Sequence, residues 1–297
     1  MSTIKNGASH VETPIEARQG LPHGPLYHYT TTAGAVGILK TKTLWATHLR
    51  YLNDSEEFIH GLRLAKDVLQ SRSSQETSRA KKIILITAQS VMDMFEDSHI
   101  FTTSFSELDD RLSQWRGYSG SSGVSFGFAA DHLKTIAENN AYWTLKKCIY
   151  QDEEKEAILN GVVDSVVGAD LQCEFDDLEV IQPLAHELVL SLYPIAASFK
   201  NTAFFEEYEW RMVSVATKAA HGRTSFRTTP TMIIPYQEVP LELKKSGTDK
   251  VDIGLVDLKI GPTSNASLLE RALSLAADQY KINAPTPARS KAPYRSL

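Results

Sequence analysis

The chain has 297 residues, 42% hydrophobic and 23% charged, with 16 Gly and 12 Pro; this composition excludes collagen-like, wholly disordered and disulfide-framework proteins. Its 31 Lys and Arg against 36 Asp and Glu leave a formal charge of −5, so no global positive field is available to hold a polyanion without sequence preference. At this length, about two domains or one large domain with insertions are expected.

Residues 1–25 are polar, contain Pro14, Pro22 and Pro25 and show no periodicity, which predicts a flexible N-terminal arm. No apolar core follows its lysine, so it does not read as a secretory signal. No stretch reaches the ~18 uninterrupted apolar residues of a membrane span. Cys148 and Cys173 lack the spacing of a zinc or redox site and read as buried thiols. A cytoplasmic protein without membrane contact is the expectation.

A single domain over 26–297 is predicted to open with a strand at Leu26–Thr30, a helix at Ala33–Lys40 and a second strand from Leu44. Asp54, with Glu57 three positions later, predicts a capped helix from about Ser55 to Gln70, its stripe formed by Phe58, Leu62, Ala65 and Leu69. A second helix, Glu76 to Phe95, repeats the pattern through Ile84, Ala88, Val91 and Phe95. Strand texture at Ile100–Ser106 and Gly123–Phe128 brackets a short helix, Asp109–Trp115, and a Gly/Ser loop. Residues from about 130 to 200 read as a helical insertion in which Pro183 and Pro194 mark breaks. Strands return at Tyr208–Ala216, Arg223–Thr228, Met232–Pro235 and Gly254–Ile260 before a closing helix, Ala266–Tyr280. Interleaving without a regular βαβ rhythm makes the fold class α+β.

Several chemistries fail on spacing. The Gly117–Gly123 segment lacks the Lys-Ser/Thr pair of a phosphate loop, precedes a strand instead of opening a helix, and has no Gly two positions after Ser119 to make a nucleophile elbow. No pair of the 9 His has helical metal-ligand spacing around a Glu, so no metal site is expected. What remains is polar chemistry at strand positions: His28 within Tyr27-His28-Tyr29-Thr30, hydroxyls at Thr102 to Ser104, the Gln114-Trp115-Arg116-Gly117-Tyr118 segment, and the Glu206 to Arg211 run. Strand alternation places Glu207, Glu209 and Arg211 on one face and Tyr208, Trp210 and Met212 on the other. Each has a plain structural reading: a hydrogen-bonded strand histidine, a core-filling Trp115 and a surface charge ladder.

The segments YHYTTTAGAVGILKTKTLWATHLRYLNDSEEF, SFSELDDRLSQWRGYSGSSGVSFGF, FFEEYEWRMV and SKAPYRSL resemble the bacterial domain-of-unknown-function 2971 family, itself distantly similar to the ADP-ribosyltransferase fold. The resemblance implies two small, mainly antiparallel sheets around a cleft, NAD as co-substrate, and mono-ADP-ribosylation of a macromolecular acceptor, RNA, DNA or protein. A toxin or anti-phage effector, with an antitoxin or inhibitor protein as a further partner, would fit. It implies a catalytic role for Glu209 and Glu207 and contact of His28 with an NAD ribose. With these go Tyr29, Thr30, Trp115, Arg116 and Tyr118 as cofactor-binding residues: aromatic faces for cationic nicotinamide and a guanidinium for pyrophosphate. Exchange of Glu209 for Gln is expected to spare the fold. The alternative is a catalytically silent module binding a nucleotide or a protein on the same fold. A nucleic-acid-directed enzyme is the third reading, with Arg111, Arg116, Arg211, Arg223 and Arg227 in one groove.

Overall fold

The first strand, β1 (Leu26–Thr31), runs directly into α1 (Thr32–Thr41), whose start is capped by the Thr31 hydroxyl accepting from the Gly34 N–H at 3.1 Å. In the computed structural model, residues 22, 24–52, 55–94, 98–120, 122–168, 171, 178–217, 222–243 and 249–292 are described. Most of the expected N-terminal arm, the Asp54 cap, Phe95 and Cys173 lie outside them. Cys148 is buried.

Lys42, at a positive φ of 56°, closes α1 and turns the chain into β2 (Thr43–His48). The paired helices α2 (Ser55–Gln75) and α3 (Arg79–Met94) follow, with Phe58, Leu62, Ala65 and Leu69 buried as their periodicity predicts. α3 starts later than expected because the Glu76 carboxylate accepts from the Ser78 N–H at 2.8 Å, which makes Glu76–Ser78 a turn. Next come β3 (Phe101–Ser106), α4 (Leu112–Tyr118) and β4 (Gly123–Phe128).

The region from 130 to 200 is less purely helical than its composition suggests. It holds α5 (Ala130–Asn139), the strand β5 (Trp143–Lys147), α6 (Asp152–Val167) and α7 (Leu178–Ala196). β5 pairs along its length with β6 (Glu209–Ser214), so the expected insertion contributes to the sheet. Pro183 and Pro194 do not break α7, which runs through both while burying Ile181, Ala185, Leu188 and Leu192. The chain ends with β7 (Thr224–Thr228), β8 (Ile233–Pro240), β9 (Leu255–Ile260), α8 (Ala266–Gln279) and the short β10 (Ala288–Arg289).

The architecture is mixed α+β with an open, mostly antiparallel sheet in the order β10-β9-β4-β1-β3-β2-β8-β7; β6 pairs β3, and β5 lies beyond β6. Only β10 against β9 is parallel among the named strand pairs. The expected pair of small sheets is thus one hydrogen-bonded sheet, opened by a fork at β3. One edge of β3 is paired with β6 from Thr102 to Ser106. The other is shared: β1 meets it only through Tyr27 opposite Ser106, and β2 only through Thr47 opposite Thr102 and His48 opposite Phe101. Between these contacts β1 and β2 diverge.

Two apolar layers hold the fork open from outside. On one face α2, α3, α6 and α7 pack Phe58, Ile84, Leu159, Leu188 and Tyr193 with Val213 of β6. On the other, α1, α5 and α8 pack Leu39, Leu133 and Leu273 against Phe126, Phe128, Trp210 and Met212. Complete burial of one such Leu or Phe stabilises the fold by about 1.5–3 kcal/mol, so both sheet faces are anchored independently of the cavity between them. Among the described residues no helix is long and apolar enough to cross a membrane.

Candidate functional site

The fork encloses a cavity of about 790 Å³, within the size range of small-molecule and cofactor sites. Because cross-strand partners share a face, the register places Glu209, Ser104, Thr102, Thr47 and Tyr236 on one side of the sheet, while His28, Thr103 and Phe105 lie on the other. Both sets line the cavity except Tyr236, so the cavity reaches through the fork. α1 forms part of its wall: at Gly34 an added Cβ would stand 2.1 Å from the Thr30 Oγ1, so a side chain there would force the Thr30 hydroxyl to move.

β1 supplies His28, Tyr29 and Thr30 to the lining. His28 also has the structural role open to it from sequence, since its Nδ1 lies 2.9 Å from the Ser104 carbonyl in the unpaired stretch of β3. A carbonyl only accepts, so Nδ1 donates. Burial lowers the imidazole pKa, and the Ser104 bond only partly opposes it. The ring is therefore neutral at pH 7, with Nε2 as an acceptor. Tyr29 contributes its ring; its hydroxyl donates to the Leu108 carbonyl at 2.7 Å and accepts from the Arg111 N–H at 3.3 Å.

Of the expected α4 residues, Tyr118 lines the cavity but Trp115 and Arg116 do not. Trp115 is 2% exposed, donates from Nε1 to Asp110 at 2.8 Å and meets Tyr29 edge-on with centroids 4.7 Å apart. Gly261 lets it seat, since a Cβ there would lie 2.7 Å from the indole. It is the core-filling residue of the structural reading, and the cofactor-contact assignment is corrected. Arg116 is exposed and points to no part of the cavity lining, so it cannot serve the pyrophosphate role assigned to it.

The carboxylates also differ from expectation. Glu207 ends a 3-10 turn, Thr202–Glu207, and Tyr208 takes a left-handed φ of 44° before β6 begins at Glu209, so Glu207 and Glu209 are not neighbours on one strand face. Glu209 and Arg211 do share a face, and Trp210 and Met212 fill the core on the other. They form no surface ladder. Arg211 Nε donates to Glu209 Oε1 at 2.7 Å, Lys200 Nζ lies 2.5 Å from Glu209 Oε2 and 2.9 Å from Glu207 Oε2, and Arg211 also donates to the Ala197 carbonyl. Burial alone would raise the Glu209 pKa, but the Arg211 guanidinium and then the Lys200 ammonium outweigh it and hold the carboxyl at about 2. Both glutamates line the cavity, yet the four groups sum to zero formal charge. Replacing Glu209 is therefore expected to destabilise the fold, because it leaves buried cations short of a counter-charge.

Three contributors went unrecognised. Lys200 lies nine residues before Glu209 in an unremarkable turn, and no local pattern announces it as the counter-ion. Trp45 and Thr47 do have a signal: in β2, Thr43, Trp45 and Thr47 alternate with core-facing Leu44 and Ala46. Arg227 alone of the five proposed groove arginines lines the cavity; Arg211 is consumed by Glu209, and Arg223 lies over the Tyr142 ring. Among the described residues no three His, Cys, Asp or Glu side chains converge as metal ligands.

Fold and site together define a mixed α+β protein whose forked antiparallel sheet encloses a polar cavity. Residues 114–212, a third of the chain, match the family model described as Protein of unknown function (DUF2971). The match takes in the Lys200, Glu207, Glu209 and Arg211 cluster but not β1, β2 or Arg227. No curated protein and no solved structure matches the chain.

Proposed function

We propose that the cavity binds NAD as co-substrate and that the chain transfers its ADP-ribose to a macromolecular acceptor, a nucleic acid or a protein, releasing nicotinamide. The fork is the observation that carries this reading, since it brings a neutral imidazole from β1 and an ionised carboxylate from β6 to one elongated cavity. Orphaned polar atoms support the fit. The Thr102 and Thr103 hydroxyls and Arg227 Nε are buried without protein partners in the lining, and ribose hydroxyls and phosphate oxygens would satisfy them.

In the transfer, the bond from ribose C1′ to the nicotinamide nitrogen breaks, the electron pair leaves with nicotinamide, and positive charge grows on the ribose. Glu209, ionised throughout the neutral range, opposes that charge. His28 Nε2 accepts from a ribose hydroxyl. Tyr29 and Tyr118 offer ring faces to the cationic nicotinamide. Glu207, nearer the solvent than Glu209, takes the acceptor's proton as the new bond to C1′ forms.

One observation favours a nucleotide-binding module without catalysis: both Glu209 oxygens are already engaged by Arg211 and Lys200. The readings separate in one assay, in which NAD labelled in its ADP-ribose portion is incubated with the chain and RNA, DNA or lysate protein. The transferase reading expects label on one acceptor class, reduced about 10²-fold in a folded Glu209→Gln variant. Saturable NAD binding with neither label transfer nor nicotinamide release would leave the silent module standing.

A further inference from the structure

The end of the cavity remote from Glu209 is lined by β2 and β7, and its polar groups are only partly matched. Arg227 donates from one terminal nitrogen to Thr47 Oγ1 at 3.1 Å, but its Nε is buried without a partner, and it has no ion-pair partner among the described residues. On the same sheet face and paired with Thr47, Thr102 is 2% exposed, and its hydroxyl has no partner among the described residues. A guanidinium anchored by a neutral hydroxyl and flanked by an orphaned one is a preorganised fork for a tetrahedral anion, and desolvating it without one is costly.

The same wall carries an aromatic platform. Trp45 lines the cavity yet is 42% exposed, and its ring leans on Tyr236 with centroids 4.4 Å apart and planes at 31°. Thr47 pairs with Tyr236, and Tyr236 with Ser225, two residues from Arg227, so indole and guanidinium lie on one sheet face. Along β3, Ser106, the partner of Glu209, lies four residue steps from Thr102 at this end, or roughly 14 Å at the rise of a strand.

We infer that this end of the cavity is a nucleoside-diphosphate subsite, with Arg227 and the Thr102 hydroxyl on the phosphates and Trp45 stacked on the base. It deepens the transferase reading and rests on it only in identifying the bound group as the ADP portion of NAD. That portion is long enough to leave the nicotinamide ribose at the carboxylate end. Arg227 thus takes the phosphate role that Arg116 cannot fill.

Calorimetry on the full chain with ADP, adenosine and inorganic pyrophosphate tests it. ADP should bind more tightly than either fragment. Arg227→Ala, a half-buried position in β7, should weaken ADP about tenfold or more while leaving adenosine unchanged. Trp45→Ala should weaken ADP and adenosine alike, by about tenfold. Thr102→Val gives a second handle on the phosphates. No ADP binding at millimolar concentration, or wild-type ADP affinity in an Arg227→Ala variant with an unchanged melting temperature, would overturn the subsite. If ADP binding depends on Arg227 but NAD is never cleaved, the subsite stands and the transferase reading fails. If transfer occurs and Arg227→Ala binds ADP normally, the reverse holds.

Discussion

The two ends of the cavity hold the same kinds of polar group in opposite states of satisfaction. At the Glu209 end, two carboxylates and two cations sit within hydrogen-bonding distance of each other, and Lys200 and Arg211 are each 1% exposed. At the Arg227 end, a guanidinium and the Thr102 hydroxyl have polar atoms with no partner among the described residues. A closed charge network holds the chain together at the root of β6, where the turn ending in Glu207, the end of α7 and the sheet meet. An open network contributes nothing to folding until a ligand completes it. Mutations at the two ends should consequently divide between stability and binding.

The largest effect is expected from Lys200→Met. It leaves Glu209 buried with Arg211 as its main cation and should cost about 3–5 kcal/mol in urea unfolding, the usual penalty for breaking a buried pair from one side. Arg227→Ala should cost less than about 1 kcal/mol in the same measurement, since no ion pair is lost. Equal losses at the two positions would dissolve the distinction.

Acid unfolding sharpens it. Glu209 has a folded pKa of about 2 against an ordinary value of 4.5, so its contribution is fully present above pH 4.5 and is lost as pH falls toward 2. Linkage puts that contribution on the order of 3 kcal/mol, and a Glu209→Gln variant should start less stable at pH 7 and show a flatter limb between pH 4.5 and 2. If the two proteins lose stability in parallel over that range, the ion cluster is not the acid-sensitive element.

A second, smaller acid step is expected higher up. Burial, then the charges of His99 and Arg50, push His48 down to about 4 from 6.5, and its Nε2 lies 3.1 Å from His99 Nδ1. The unfolded chain binds more protons between these values, so stability is full above pH 6.5 and declines as pH falls toward 4. After allowance for solvent screening this amounts to about 1–2 kcal/mol. His48→Gln should remove the step at pH 6.5 to 4 and leave the Glu209 step in place. Loss of both steps together would mean that the two ends unfold as one unit.

Local features of this contrast were legible in the chain. The bounds of Gly123–Phe128, the buried stripe of α2, the common face of Glu209 and Arg211 and the place of His28 in the first strand all follow from side-chain periodicity, a property of neighbouring residues. The fork is a long-range property. Whether β3 keeps one partner or two along an edge depends on where β1 and β2 diverge, and nothing in the Ile100–Ser106 segment records it. β5 was hidden because its lysines and half-buried positions break alternation, and β10 because it has two residues. Lys200 became a counter-ion only when the end of α7 met β6. Trp115 and Arg116, adjacent in sequence, were separated by helical geometry into the core and the solvent.

The smallest effect is expected at Thr103, and it runs in the opposite direction to most substitutions. Its hydroxyl is buried in the cavity wall without a hydrogen bond, which costs the folded state the desolvation of a polar group. Valine keeps the β-branched shape suited to a strand and removes that cost, so Thr103→Val should stabilise the chain by about 1 kcal/mol in urea unfolding. The same substitution should weaken NAD, because the ligand loses an acceptor or donor in the wall that Thr103 shares with His28. A gain in stability paired with a loss in binding marks a position kept polar for its ligand. Destabilisation by Thr103→Val would mean the hydroxyl is satisfied by ordered water within the fold, and the contrast between a closed and an open end would then rest on Arg227 and Thr102.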